Sequence, residues 1–210
     1  MQRSRVLRLN NVHSLLEFVI HNKFLIIFTL FFLTGIFIGV FTFGSSESFN
    51  SFAENNFALY ISERTNQTFA KIMLDSFFEN MLYLVVCFIL GSSMLGTLFL
   101  PLFLSLKGFL YGQTAALMYS VYSLKGIAFH TLLILPVAVI FSVLLIFASK
   151  DSMRFSVLLV RVSLRNNSSG DISFDFKNFC IKYLVFSVIA FLCAIIDSLL
   201  SVKLIGSFSL

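Results

Sequence analysis

Residues 80–113 read NMLYLVVCFILGSSMLGTLFLPLFLSLKGFLYGQ, and this stretch decides the fold class. It is apolar almost throughout. Its interruptions are Asn80 at the start, then Gly91, Ser92, Ser93 and Gly96, a single Pro101, and Lys107-Gly108 followed by Gly112 and Gln113. A helix packed in a soluble core would show a polar face over such a length. In a bilayer the pattern has a physical reason. Hydrophobicity no longer distinguishes one neighbour from another there, and small residues let helix backbones approach closely. The stretch indicates an all-α, polytopic membrane protein with its glycines at an internal packing seam.

The whole chain agrees. Of its 210 residues 58% are hydrophobic and 12% charged, and the mean hydropathy is +0.95, which excludes an ordinary soluble domain. The formal charge of +5 does not point to nucleic acid, because the basic residues flank apolar blocks as topology determinants do. The implied partner is the lipid bilayer. Cys87, Cys180 and Cys193 lie in or beside apolar runs without CxxC spacing, so they read as small buried hydrophobes. No metal and no cofactor is indicated.

Working outward, residues 1–23 carry Arg3, Arg5, Arg8 and Lys23 around Val12, Leu15, Leu16, Phe18 and Val19, the pattern of a cytoplasmic amphipathic helix. Residues 24–210 form a single helical membrane domain. Its first span is about 24–43, where Gly35 and Gly39 make a GxxxG pair. An outer loop, 44–79, is net acidic and amphipathic, and is too small for an independent catalytic domain. The second span is about 81–105, with Pro101 as a kink or break near its end. The third, about 108–124, is short for a full crossing, and a re-entrant pair of half-helices stays open as an alternative for 97–124. The fourth is about 127–149, with His130 near its entry. A basic cytoplasmic loop, 150–180, includes a surface helix over 153–164. The fifth span is about 181–202, with Asp197 in its second half.

The positive-inside rule then sets the topology. Arg3, Arg5, Arg8, Lys23, Lys107, Lys150, Arg154, Arg161, Arg165, Lys177 and Lys182 fall inside. Only Arg64, Lys71, Lys125 and Lys203 fall outside. Five spans result, with the N-terminus inside and the C-terminus outside.

Catalytic motifs are missing: the chain has no HExxH, GxSxG or Walker A pattern, and His130 is the only histidine near the membrane. It reads as a non-enzyme. Asp197, in AIIDSLLS, is a carboxylate in an apolar run, where carboxylates face the bundle interior or water. Three roles stay open for it: a hydrogen-bonded anchor, an interfacial residue near Lys203, or an ion-coupling site. Asn80 and Gln113 are its candidate partners. Lys107 and Gln113 flank Gly108 and Gly112, which reads as a cytoplasmic turn followed by a packed helix, with a broken-helix polar site as the alternative.

The order of features resembles a known family. Gly35/Gly39, an outer amphipathic loop, Asn80, Gly91, Gly96, Lys107-Gly108 and Gly112 are followed by Ile134-Leu135-Pro136 and Ala194-Ile195-Ile196-Asp197. Together these look like the stage II sporulation protein M family of bacterial integral membrane proteins. The chain departs from it in two places: Val137 and Ala138 follow the Leu-Pro where a His or Gln and an Asn are common, and Asp197 stands where Glu is common. The resemblance implies a multi-pass protein of the bacterial plasma membrane that acts as a non-enzymatic scaffold. It would recruit and localise two peptidoglycan-degrading proteins, stage II sporulation proteins P and D, during endospore engulfment. Partners would meet it through the small-residue seams and near 44–79; self-association stays open. The alternative is a small transporter or channel subunit with a polar path near Asp197.

Overall fold

The computed structural model describes residues 22–44, 67–121, 123–165 and 172–204, with separate positions 51, 54, 55, 58, 59, 62 and 64. The amphipathic helix expected over residues 1–23 lies almost wholly outside these. Among the described residues all regular structure is helical: α1 (Lys23–Thr42), α2 (Phe69–Gly91), α3 (Gly96–Val121), α4 (Ser123–Phe129), a π-helical turn (His130–Ile134), α5 (Leu135–Arg165) and α6 (Ile172–Leu204).

α1 matches the first expected span. It ends where Phe43 N–H bonds Gly39 O at 3.3 Å and Gly44 takes φ +84°, a left-handed conformation that suits glycine after a helix. The central stretch divides differently from the expected 81–105 and 108–124. Its break falls at Ser92–Leu95, between Gly91 and Gly96. Ser92 and Ser93 turn their hydroxyls back onto Phe88 O and Leu90 O at 2.8 and 3.2 Å, offering the backbone an alternative to the helix. Gly96 closes this turn, since a Cβ there would collide with Leu90 O. Pro101 does not break the chain. It sits early in α3 and forgoes one backbone bond, while the helix runs unbroken to Val121, so the half-helix alternative does not occur. Lys107 is accordingly mid-helix rather than in a cytoplasmic turn.

The segment 150–180 is mostly helix as well. Nothing between Lys150 and Arg165 interrupts α5, because charged residues such as Lys150 and Arg154 are good helix formers and no Gly or Pro intervenes. α6 likewise starts at Ile172, before the expected 181. Pro136, inside the fourth span, is accommodated by the preceding π turn, where Leu135 N–H reaches His130 O.

The helices alternate in direction. At one end Lys150 Nζ meets Asn22 Oδ1 at 3.2 Å, Lys182 pairs with Asp151 at 3.1 Å, and Ser156 donates to Ser93 O at 2.7 Å. At the other end Gln113 donates to Thr42 at 3.1 Å and Ser198 to Phe69 O at 2.9 Å. Phe28 and Phe32 of α1, Leu84 and Cys87 of α2, Leu100 and Leu104 of α3, Phe141 and Leu145 of α5 and Ala190 of α6 form the shared core. α1, α2, the α4–α5 unit from Gly126 to Leu164, and α6 from Ser173 to Lys203 are each long and apolar enough to cross a membrane. Their outward faces carry large apolar side chains such as Leu30, Phe37, Leu184 and Val188, which suits contact with lipid.

Candidate functional site

The glycines set how closely the helices meet. Gly35 and Gly39 of α1 face Ser105 O and Phe109 O of α3, while Gly108 and Gly112 of α3 face Phe32 O and Ile36 O of α1. A Cβ at any of the four would strike backbone, so α1 and α3 are locked by mutual small-residue contact. Gly91 has a different task. A Cβ there would lie 2.7 Å from Ser152 Cβ of α5. Among the described residues, these glycines lie where the chain's own helices meet.

Polar groups gather inside the bundle. Arg64 grips Asp197 with both arms, Nη1 to Oδ1 at 2.9 Å and Nη2 to Oδ2 at 2.6 Å. It also donates to Ser201 Oγ at 2.6 Å and Ser76 Oγ at 3.1 Å, and Ser76 donates to Asp197 Oδ2 at 2.5 Å. The side chains of Arg64 and Asp197 are 11% and 9% exposed. Such a bidentate, charge-assisted pair fixes geometry as well as charge. Asp197 is buried, and its partners are Arg64 and Ser76.

Of the two partners expected from sequence, Gln113 is elsewhere. It caps the α1–α3 seam through Thr42, and its Oε1 is buried without a hydrogen-bond partner among the described residues. Asn80 lines the same pocket as Asp197.

A second ion pair shares that pocket. Lys107 Nζ lies 3.4 Å from Glu79 Oε1 and 3.7 Å above the Tyr83 ring, with Tyr111 at 5.0 Å. The lysine side chain is 7% exposed and the glutamate 61%. The aromatic faces supply the cation–π attraction that makes a buried ammonium tolerable. Both pairs, with Asn80, Ile134, Val137 and Ala138, line a pocket of ≈ 100 Å³. Val137 and Ala138, the positions that depart from the family pattern, leave this wall apolar.

Sequence reasoning missed Arg64, Ser76, Glu79 and the inward aim of Lys107. Two isolated charges at Glu79 and Lys107 were the available signal, once both are placed inside helices rather than beside them. Chemically the arrangement is a lock, in which opposite charges saturate one another. Among the described residues no three His, Cys, Asp or Glu side chains are grouped to hold a metal. One turn before Ile134, at the start of the π turn, His130 Nδ1 and Tyr119 Oη share a 3.3 Å hydrogen bond.

No curated protein and no solved structure matches the chain. A family model described as Stage II sporulation protein M matches residues 28–201, from α1 through the helix that carries Asp197. That description ties the family to sporulation, and the apolar helices mark a membrane protein. With most of its length matched, the chain belongs to the stage II sporulation protein M family.

Proposed function

We propose that the chain is a non-enzymatic scaffold of the bacterial plasma membrane that recruits and localises membrane-anchored peptidoglycan-degrading proteins during endospore engulfment. The observation that carries this reading is the family membership, and the geometry supports it. The buried charges are spent on each other, which suits a rigid platform better than a reaction centre. The chain crosses five times, N-terminus inside and C-terminus outside. α3, whose 26 residues are long enough to cross, is the fifth crossing, held between α1 and α5. Lys23, Lys150, Arg154, Arg161, Lys177 and Lys182 lie toward the inside end, so the orientation survives the removal of Lys107 from the count. Thr42 and Phe69, the facing ends of α1 and α2, are then on the outside, where the wall lies.

Capture of the tagged chain from cells forming endospores, in mild detergent, tests the reading. Peptidoglycan-degrading proteins with a membrane anchor should be enriched over an unrelated polytopic bait. Equal recovery with both baits contradicts it.

A second reading, a small transporter or channel subunit, draws on the polar pocket around Asp197 and Lys107. It requires flux in reconstituted vesicles that Asp197→Asn abolishes. Against it, Arg64 occupies both oxygens of the carboxylate.

A further inference from the structure

After the tight Ser92–Leu95 turn, α2 and α3 touch one another less than either touches its other main neighbours. Tyr83 meets Phe103 across the gap at 5.9 Å. The polar pocket lies beyond that contact, with Ile134, Val137 and Ala138 of the π turn and α5 as its floor. Glu79, far more exposed than Lys107 behind it, stands at the mouth.

The depth of this mouth follows from the seam. Gly108 lies against Phe32, close to the middle of α1, whose 20 residues span about 30 Å, the thickness of a hydrocarbon core. Lys107 and Glu79 are therefore near mid-depth, and Asp75 is one turn further out on α2. By their spacing Asp75, Glu79 and Leu82 share one helix face, and all three are exposed. A carboxylate at this depth, facing hydrocarbon, needs a partner in place of water.

Charge complementarity indicates what covers them. Asp197 is matched by Arg64 and Glu79 by Lys107, whereas Asp75 makes no ion pair with any described residue, Lys71 one turn away included. The mouth carries excess negative charge. A second copy docking face to face would bring like carboxylates together, since a two-fold interface opposes a patch to itself.

We propose that the groove between α2 and α3 seats a partner's transmembrane helix bearing a Lys or Arg near mid-depth, its cationic head against Glu79 and Asp75. The exposed Leu82, Leu102 and Leu106 give the rest of that helix apolar contact. This inference deepens the scaffold reading by naming its docking surface.

The test is energy transfer, in neutral phosphatidylcholine vesicles, from the labelled full chain to labelled polyleucine transmembrane peptides with or without one central Lys. The Lys peptide should associate roughly tenfold more tightly than the all-Leu peptide. Asp75→Asn should weaken that preference and Asp75→Asn with Glu79→Gln should abolish it. Asp75→Asn leaves the Lys107 pair intact and so keeps the test decisive if Glu79→Gln fails to fold. Equal association of the two peptides overturns the proposal, as does a preference unaltered in Asp75→Asn. Transfer between two copies of the chain that the Lys peptide competes away assigns the groove to a second copy, and also overturns it. Because no cellular partner enters the assay, the groove can fail while recovery of wall-degrading proteins stands, and the reverse.

Discussion

Asp197 shows how a charge becomes tolerable inside an apolar bundle. Its two oxygens are engaged by one guanidinium and a serine, which converts an expensive group into an anchor between α6, α2 and the residues before α2. Breaking one half of such a pair leaves the other charge uncompensated. Asp197→Ala should therefore lower unfolding stability in micelles by about 3–5 kcal/mol. Arg64→Met combined with Asp197→Leu should recover most of that loss, because apolar groups of similar volume need no solvation. An additive loss in the double variant would show that the pair does more than cancel charge. Removing either half of the Lys107–Glu79 pair leaves an uncompensated charge, an ammonium against ring faces or a carboxylate at mid-depth. Lys107→Met and Glu79→Gln should therefore each lower stability in thermal unfolding, by roughly 1–3 kcal/mol. Combining the two should recover part of that loss. A double variant that loses the full sum of the two would contradict the pairing.

At the scale of helices, the α1–α3 lock and the Ser92–Leu95 turn hold the architecture in place. Gly108→Leu or Gly35→Leu should separate α1 from α3, with a loss of about 3 kcal/mol or more. Gly96→Leu should disrupt the turn. Limited proteolysis in detergent would check this: the variants should be cut faster than wild type between α1 and α3, and Leu82→Ala, on an exposed face, should not. That glycines make a seam was legible in the sequence, because GxxxG spacing is local and needs no knowledge of the partner. The helix ends were not. Pro101 attracted the break that the serines of Gly91-Ser92-Ser93 actually make, since a proline early in a helix gives up little. The positive-inside rule drew Lys107 into a loop because it weighs charge and not burial. Arg64 was invisible as a partner of Asp197 because the two are 133 residues apart, and no periodic pattern links positions so distant. Gln113 was legible as a buried polar residue but not as the cap on Thr42 of another helix.

For the whole molecule, the alternating helices give a bundle with distinct ends. The α4–α5 unit is a 39-residue helical span of roughly 58 Å, and the 33 residues of α6 extend roughly 50 Å, both longer than a hydrocarbon core of about 30 Å. Their basic ends should project on the inside as a helical hairpin. In a Cys180→Ser background, Met94→Cys should react with a membrane-impermeant thiol reagent only from the cytoplasmic side, and Thr68→Cys only from outside. Labelling of both from one side would refute the five-crossing topology. In the proposed function this bundle positions wall-degrading proteins. The most direct test of that function is to image fluorescently tagged peptidoglycan-degrading membrane proteins in cells entering endospore formation, with and without this chain. Foci at the engulfing membrane should disperse when the chain is deleted and return when it is restored. Foci that persist at full intensity in its absence would contradict it.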